Sequence, residues 1–556
     1  MKISKSCLLV AIIAIFLTSC GASIAPIVSV PIGNIDALPL KATPLTDTQY
    51  KTWGTSDLVN DTIPGMSINK AYIEIIKNQK GKKVIVAVID SGVDIEHEDL
   101  KNLIWVNKDE IPNNGIDDDN NGYIDDIHGW NFLGDIVGEN MEYVRFIKKF
   151  GPYFKGKSEA SISAADNADF ELYQKAKSEY DKEQQAALSN KTRYQQILSR
   201  LEPAHKAIAE KLGKEDYSKE DLAGIKNPTT NEQQQIKSLT QMLSYGDSVP
   251  EVIEQLTEGV AYFGGRLDTH FNLNKDFRDV LGDDPNDIND KYYGNNDVDG
   301  PTKDKKDVRH GTHVAGIIAA QRNNGIGMNG VANNVEIMVI RAVPDGDEYD
   351  KDIALAIRYA VDNGALIINT SFGKYYSPHP EWVWDAINYA SKKDVLIVNA
   401  AGNEGKDLDT IQVYPNDQEG TGPEISDSFI TIGALNYNYG NNMVATFSNY
   451  GKSNVDAFAP GVKIWSTTPL DTYDFLQGTS MASPAVAGVA AMIRSFYPRL
   501  SAKQVKLILM NSGLASNLSV ILSGDESNVD NFKNISKSGK MVNLYNALIM
   551  ASKMKN

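Results

Sequence analysis

Three short segments combine the residue types that acyl transfer through a serine requires. Val88-Ile89-Asp90-Ser91-Gly92 ends an apolar run on an acid, and His310-Gly311-Thr312-His313 supplies two histidines. Gly478-Thr479-Ser480-Met481-Ala482 sets a serine among small residues just ahead of a helical stretch at 485–495. A serine hydroxyl is a weak nucleophile until a neighbouring base takes its proton, and that base needs a third group to fix its tautomer. An aspartate at the end of a buried strand suits the third role, because its backbone is held. A serine near a helix start turns its own N–H toward developing negative charge. Zinc chemistry is a poor alternative, since His310-x-x-His313 has neither the spacing nor the glutamate of H-E-x-x-H. A nucleophile elbow is excluded as well, because the serine segment lacks the second glycine.

A second constellation is acidic. Asp117-Asp118-Asp119-Asn120-Asn121-Gly122-Tyr123-Ile124-Asp125-Asp126 has the D-x-D-x-N-G spacing of an EF-hand-like loop. Alternate oxygens converge on calcium when a glycine permits the sharp turn. Asp117, Asp119, Asn121, Asp125 and the Tyr123 carbonyl are the candidate ligands. The twelfth position is His128 rather than glutamate, so the site needs another carboxylate.

The elements that must position these groups follow from hydropathy. Continuous β-branched runs at 84–89, 335–343, 365–369, 395–401 and 429–435 suit strands buried on both faces. Helical patterns at 352–363 and 381–392 lie between them. Such alternation implies an α/β fold with a doubly wound parallel sheet and flanking helices, whose ligands sit outside the carboxyl ends of the strands. Asp90 and Asn403 both follow such ends. Residues 140–285 break the rhythm and form a mainly helical insertion, with 164–212 read as two or more amphipathic helices joined by a turn. The α/β parts are then 66–139 and 286–550.

The N-terminus carries Lys2 and Lys5, then ten apolar residues at 8–17, too short to span a bilayer but fitting a signal peptide over 1–19. Leu17-Thr18-Ser19-Cys20 resembles a bacterial lipobox, which makes Cys20 a lipidation site and 20–65 an unstructured tether. The only other cysteine is Cys7, so the mature chain has no intramolecular disulfide. These features imply an exported lipoprotein of the bacterial cell envelope, on its periplasmic or surface side, held at the membrane through its lipid. The net charge of −17 argues against a nucleic-acid partner. The sequence carries no signature of oligomeric state.

With these motifs in the chain order Asp, His, Ser, the sequence resembles the subtilisin-like serine proteases, the subtilases. The resemblance covers about residues 66–135 and 290–550. It implies a serine endopeptidase acting on polypeptides, with Asp90, His310 and Ser480 as the triad and His313 structural. By the same resemblance, Asn403 in Ala400-Ala401-Gly402-Asn403 donates to the oxyanion. Ser371, Phe372 and Gly373 then form the edge along which a substrate backbone pairs, and Gly373, Ala401 and Gly402 line the pocket for the residue before the scissile bond. Val413 helps close that pocket. Asp99, nine residues after Asp90, falls where subtilases often hold a calcium ligand, with 323–327 as its partner loop. The implied calcium is structural and is not needed for the chemistry. The chain departs from compact subtilases in the 220 residues between Asp90 and His310, in the lack of a conventional prodomain, and in Ala485. A lipid-anchored scaffold whose insertion occludes the triad is the competing expectation.

Overall fold

The computed structural model describes residue 27 and residues 29–420 and 422–554. The signal segment and Cys20 lie outside the described residues. The N-terminal stretch expected to be a loose tether is instead a strap bound to the domain. It contains short helices α1 (Asp47–Thr52) and α2 (Leu58–Asp61), and α3 (Ile68–Ala71) follows directly after it. Ile35, Trp53, Leu58 and Ile63 are buried in one apolar cluster with Phe458 and Leu435. The Trp53 indole N–H reaches the carbonyls of Val462 and Lys463 at 3.0 and 3.2 Å. Single anchors at irregular spacing leave no periodicity to read, which explains the mistaken expectation.

The centre is a nine-stranded sheet. In chain order the first strands are β1 (Val84–Asp90), β2 (Gly129–Asn131), β3 (Val335–Arg341), β4 (Ile367–Thr370), β5 (Leu396–Ala400), β6 (Phe429–Leu435) and β7 (Ala457–Pro460). A separate hairpin follows, β8 (Ile464–Thr468) and β9 (Thr472–Leu476). Then come β10 (Leu514–Ala515), the hairpin β11 (Ser519–Leu522) and β12 (Asp525–Asn531), and β13 (Lys540–Met541). The sheet order is β10-β13-β7-β6-β5-β4-β1-β3-β2, parallel except for the β10–β13 pair. From β1 the chain therefore runs to β2 at the sheet edge, comes back through β3 beside β1, and crosses to β4 on the other side. That reversal opens a crevice at the carboxyl ends beside β1, the usual ligand position in such sheets.

The helices from 140 onward are α4 (Glu142–Phe154), α5 (Asn167–Leu212), α6 (Lys219–Ala223), α7 (Thr230–Met242), α8 (Val249–Asp268), α9 (Arg309–Ala319), α10 (Asp350–Asp362), α11 (Pro380–Lys392), α12 (Thr479–Phe496), α13 (Ala502–Ser512) and α14 (Leu544–Ala551). Helices α9, α12, α13 and α14 share an apolar core with one face of the sheet, and α10 and α11 share one with the other. The expected pair of helices over 164–212 is a single helix of 46 residues. Its first half packs on α4 through Phe170 and Tyr173, and its second half on α6, α7 and α8 through Leu201 and Ile208. The mixed apolar spacing thus records two successive partners of one helix rather than a turn. No described helix is long and apolar enough to cross a membrane.

Candidate active site

Asp90 is the last residue of β1, where Ile85 to Asp90 pair in register with Glu336 to Arg341 of β3. Its side chain is 2% exposed, and its Oδ1 accepts hydrogen bonds from His310 Nδ1 and from the Ser91 N–H, both at 2.7 Å. Because a carboxylate only accepts, this contact places the His310 proton on Nδ1 and leaves the Nε2 lone pair free. His310 sits in the first turn of α9, and its neighbour Gly311 lets that turn press against β1. A Cβ on Gly311 would lie 2.0 Å from the Gly92 carbonyl oxygen. The His310 side chain is 40% exposed, so the insertion does not bury the imidazole.

Arg341 faces the same strand end and was not singled out from the sequence. It is 1% exposed and donates to the carbonyls of Ser91, Gly134 and Ile136 and to Asn131 Oδ1. It thereby ties the loop after β1 to the loop after β2. The one available signal was its place as the charged end of an otherwise apolar run.

Ser480 is the second residue of α12, a helix of mainly small and apolar residues that sits buried against the sheet. Its hydroxyl donates to the Ser371 carbonyl at 3.0 Å, so transferring a proton to His310 requires rotation about χ1. A buried amide and hydroxyl network pins β4 to α12. Asn369 Nδ2 donates to Ser371 Oγ, Ser371 Oγ donates to the Ser480 carbonyl, and Ser483 Oγ donates to Asn369 Oδ1, at 2.9, 2.9 and 3.1 Å.

Asn403 lies in the loop after β5. Its Oδ1 accepts from the N–H and the hydroxyl of Thr479 at 2.9 and 3.1 Å. That backbone donor identifies the oxygen and turns Nδ2 outward. A Cβ on Gly478, whose φ is +150°, would lie 3.4 Å from Asn403 Nδ2 and 3.5 Å from the Ser480 N–H nitrogen. Asn403 Oδ1 lies 3.6 Å from the same point, so the Asn403 amide and the Ser480 N–H lie together beside Gly478. Gly402 donates its N–H to Thr479 Oγ1 at 3.0 Å, and Ala401 is buried beside it. Phe372 and Gly373 continue from β4, and a Cβ on Gly373 would meet Val413 Cγ1 at 3.2 Å. Val413 thus packs beside Gly373 and shares a cavity wall with Ala400 and Ala401.

The protein around His310 disfavours its charged form, but the Asp90 charge and hydrogen bond outweigh that effect and raise its pKa above the ordinary 6.5. His313 is the opposite case. Burial lowers it to about 3, and its Nε2 donates to the carbonyls of Ile464 and Asp474. It is a neutral structural strut.

The acidic loop brings together carboxylates from inside and outside the motif. Oxygens of Glu110, Asp119 and Asp126 lie within 4.8 Å of one another. The Asp117 carboxylate accepts from the backbone of Asn121 and Gly122, that of Asp125 from Asn114 and Gly115, and Asn121 Oδ1 from the Tyr123 N–H. These bonds shape the turn, as do those that Glu110 accepts from the N–H groups of Asp118, Asp119 and Asp125. Of the expected carboxylates Asp119 lies in the cluster, and Asn121 Nδ2 contacts both Asp119 and Asp126 at 3.1 Å. Glu110, from outside the motif, supplies the extra carboxylate. Asp99 lies elsewhere, accepting from Asn324 Nδ2 at 2.5 Å and the Met328 N–H at 3.1 Å. That contact does bring the 323–328 loop to it.

Comparison with known proteins agrees with this architecture. Residues 81–190 and 258–536 match the subtilase family. The chain belongs to the subtilases, which are serine-type endopeptidases. It is 43% identical over 187 residues to a thermophilic serine proteinase of Bacillus sp. (strain AK1), covering 34% of this chain and 42% of that protein. Against subtilisin DY of Bacillus licheniformis it is 40% identical over 212 residues, covering 38% and 71%. Against the cell wall-associated protease of Bacillus subtilis (strain 168) it is 34% identical over 227 residues, covering 41% and 23%. The chain therefore spans less than half of the first of these relatives. The two matched stretches leave out 191–257, the second half of α5 through the start of α8. In this subtilase the bond to Asp90 should hold the titration midpoint of His310 above 6.5, as histidine-resolved nuclear magnetic resonance would show. Asp90→Asn should move that midpoint down; an unmoved midpoint would contradict the pairing.

Proposed function

We propose that this subtilase hydrolyses peptide bonds through an acyl-enzyme, with Ser480 as nucleophile, His310 as base and Asp90 orienting the imidazole. The reading is carried by the Asp90–His310 hydrogen bond of 2.7 Å at the mouth of the crevice that also holds Ser480. In this scheme His310 Nε2 takes the Ser480 proton as Oγ bonds to the scissile carbonyl carbon. The negative charge moves to the carbonyl oxygen, where Asn403 Nδ2 and the Ser480 N–H receive it. His310 then gives its proton to the departing amine as the C–N bond breaks, and a water repeats the sequence to release the acid. Pairing of a substrate N–H with the Ser371 carbonyl would also release the Ser480 hydroxyl from that carbonyl. Ser480→Ala should lower kcat on an unfolded protein substrate by about 10⁶, and Asn403→Ala by about 10²–10³. Labelling of a residue other than Ser480 by a serine-directed phosphonate would overturn the assignment.

The reading includes a structural calcium ion. Three carboxylates this close repel one another, and burial with the Asp119 charge pushes Asp126 up to about 6. Glu110, Asp119 and Asp126 are hard oxygen donors of the kind calcium takes, and the bound ion would neutralise them and fix the loop before β2. Chelation should lower Tm by roughly 5–10 °C, whereas an unchanged Tm would leave the loop as a hydrogen-bonded turn only. Export and attachment through Cys20 complete the proposal, supported by the N-terminal sequence. Cys20→Ser should move the activity from the membrane fraction to the soluble fraction; activity that stays with the membranes would count against the lipid anchor.

A further inference from the structure

We propose that the helical insertion ends the substrate cleft three residues before the scissile bond, with Lys374 as the positioning residue that bolts it there. The proposal deepens the reading above and rests on residues 371–373 being the substrate edge. In an extended segment, alternate residues present their N–H and C=O to the same side. The Ser371 carbonyl faces Ser480, whose hydroxyl it accepts at 3.0 Å. Lys374 faces away, since its N–H and C=O both pair with Tyr414, at 2.9 and 2.8 Å. Gly373, exposed between them, shares the side of Ser371. A peptide paired antiparallel to this edge sets its residue before the scissile bond against Ser371 and its third residue back against Gly373.

Beyond Gly373 the space is filled. The Lys374 side chain is 1% exposed, and its ammonium crosses to segment 347–350. There it donates to the Glu348 carbonyl at 2.7 Å and pairs with Asp350 at 3.0 Å, while Glu142 of α4 holds it at 2.9 Å. Arg145, one turn along α4, donates to the carbonyls of Asp347 and Glu348 at 2.9 and 3.2 Å. The Asp347 and Glu348 carbonyls are thereby tied to α4 and Lys374. Two residues farther along the edge, Tyr376 is buried among aromatics of α4, with its ring 5.8 Å from that of Phe146, and its hydroxyl donates to Glu179 of α5. The substrate edge therefore runs beneath the insertion, and a buried pair of this kind is not exchanged for a peptide contact without leaving a charge unpaired. The structure thus assigns to this protease substrates recognised by at most three residues on the amino side of the cut.

The test is equilibrium binding of N-acetylated peptides with two to six residues before the scissile bond, by fluorescence anisotropy on the full-length Ser480→Ala chain, so that the readout does not depend on turnover. Kd should tighten at least tenfold between two and three residues and change less than twofold from three to six. A tenfold gain from a fourth or fifth residue would overturn the proposal while leaving the triad assignment standing. Absence of binding at every length would remove the substrate edge itself, and the proposal with it. Adding Lys374→Gly should make the fourth and fifth residues tighten binding at least fivefold; if a folded variant shows no new length dependence, Lys374 is not the bolt. Should that variant fail to fold, the series on the Ser480→Ala chain alone decides.

Discussion

A carboxylate only 2% exposed needs a partner, because an isolated buried charge costs several kcal/mol. At Asp90 that partner is the His310 imidazole. The bond crosses from the end of β1 to the first turn of α9, so it forms only where two distant parts of the chain meet. Gly311 allows the approach and Arg341 braces the loops beside it. The same bond settles the tautomer, raises the basicity of the ring and aims Nε2 at the crevice. Ser480 and Asn403 are then placed by separate ties, the Asn369–Ser371–Ser483 network and the Thr479 bonds. Each fixes one functional atom from behind and leaves its front open.

The strands that carry this arrangement were legible because burial on both faces writes continuous β-branched runs. The run at 429–435 coincides with β6, and the run at 84–89 stops one residue short of the end of β1 at Asp90. Asp90, His310, Ser480 and Asn403 could be picked out because small residues and strand ends surround them. What could not be read was anything held by contacts remote in sequence. Trp53 anchors the strap through carbonyls more than 400 residues away, and nothing near it in the chain announces that. Arg341 looked like the end of a strand and proved to be a brace. The acidic motif marked a loop, but Glu110, which joins Asp119 and Asp126 from outside it, could not be read from the motif's spacing.

The insertion changes how access to the site is understood. Its helices do not cover His310, so the crevice is open above the imidazole. They act at one end, where α4 reaches the substrate edge through buried ion pairs rather than loose apolar contact. A decoration held only at its own base would not require Glu142, Arg145 and Lys374 to be withdrawn from water together.

The most direct test is the protonation of one ring. Nuclear magnetic resonance of ¹⁵N-histidine-labelled protein should show neutral His310 with its proton on Nδ1, in a strongly downfield position. Its titration midpoint should lie above 6.5, and both features should be lost in Asp90→Ala. A neutral imidazole protonated on Nε2, or a midpoint at or below 6.5, would contradict the account.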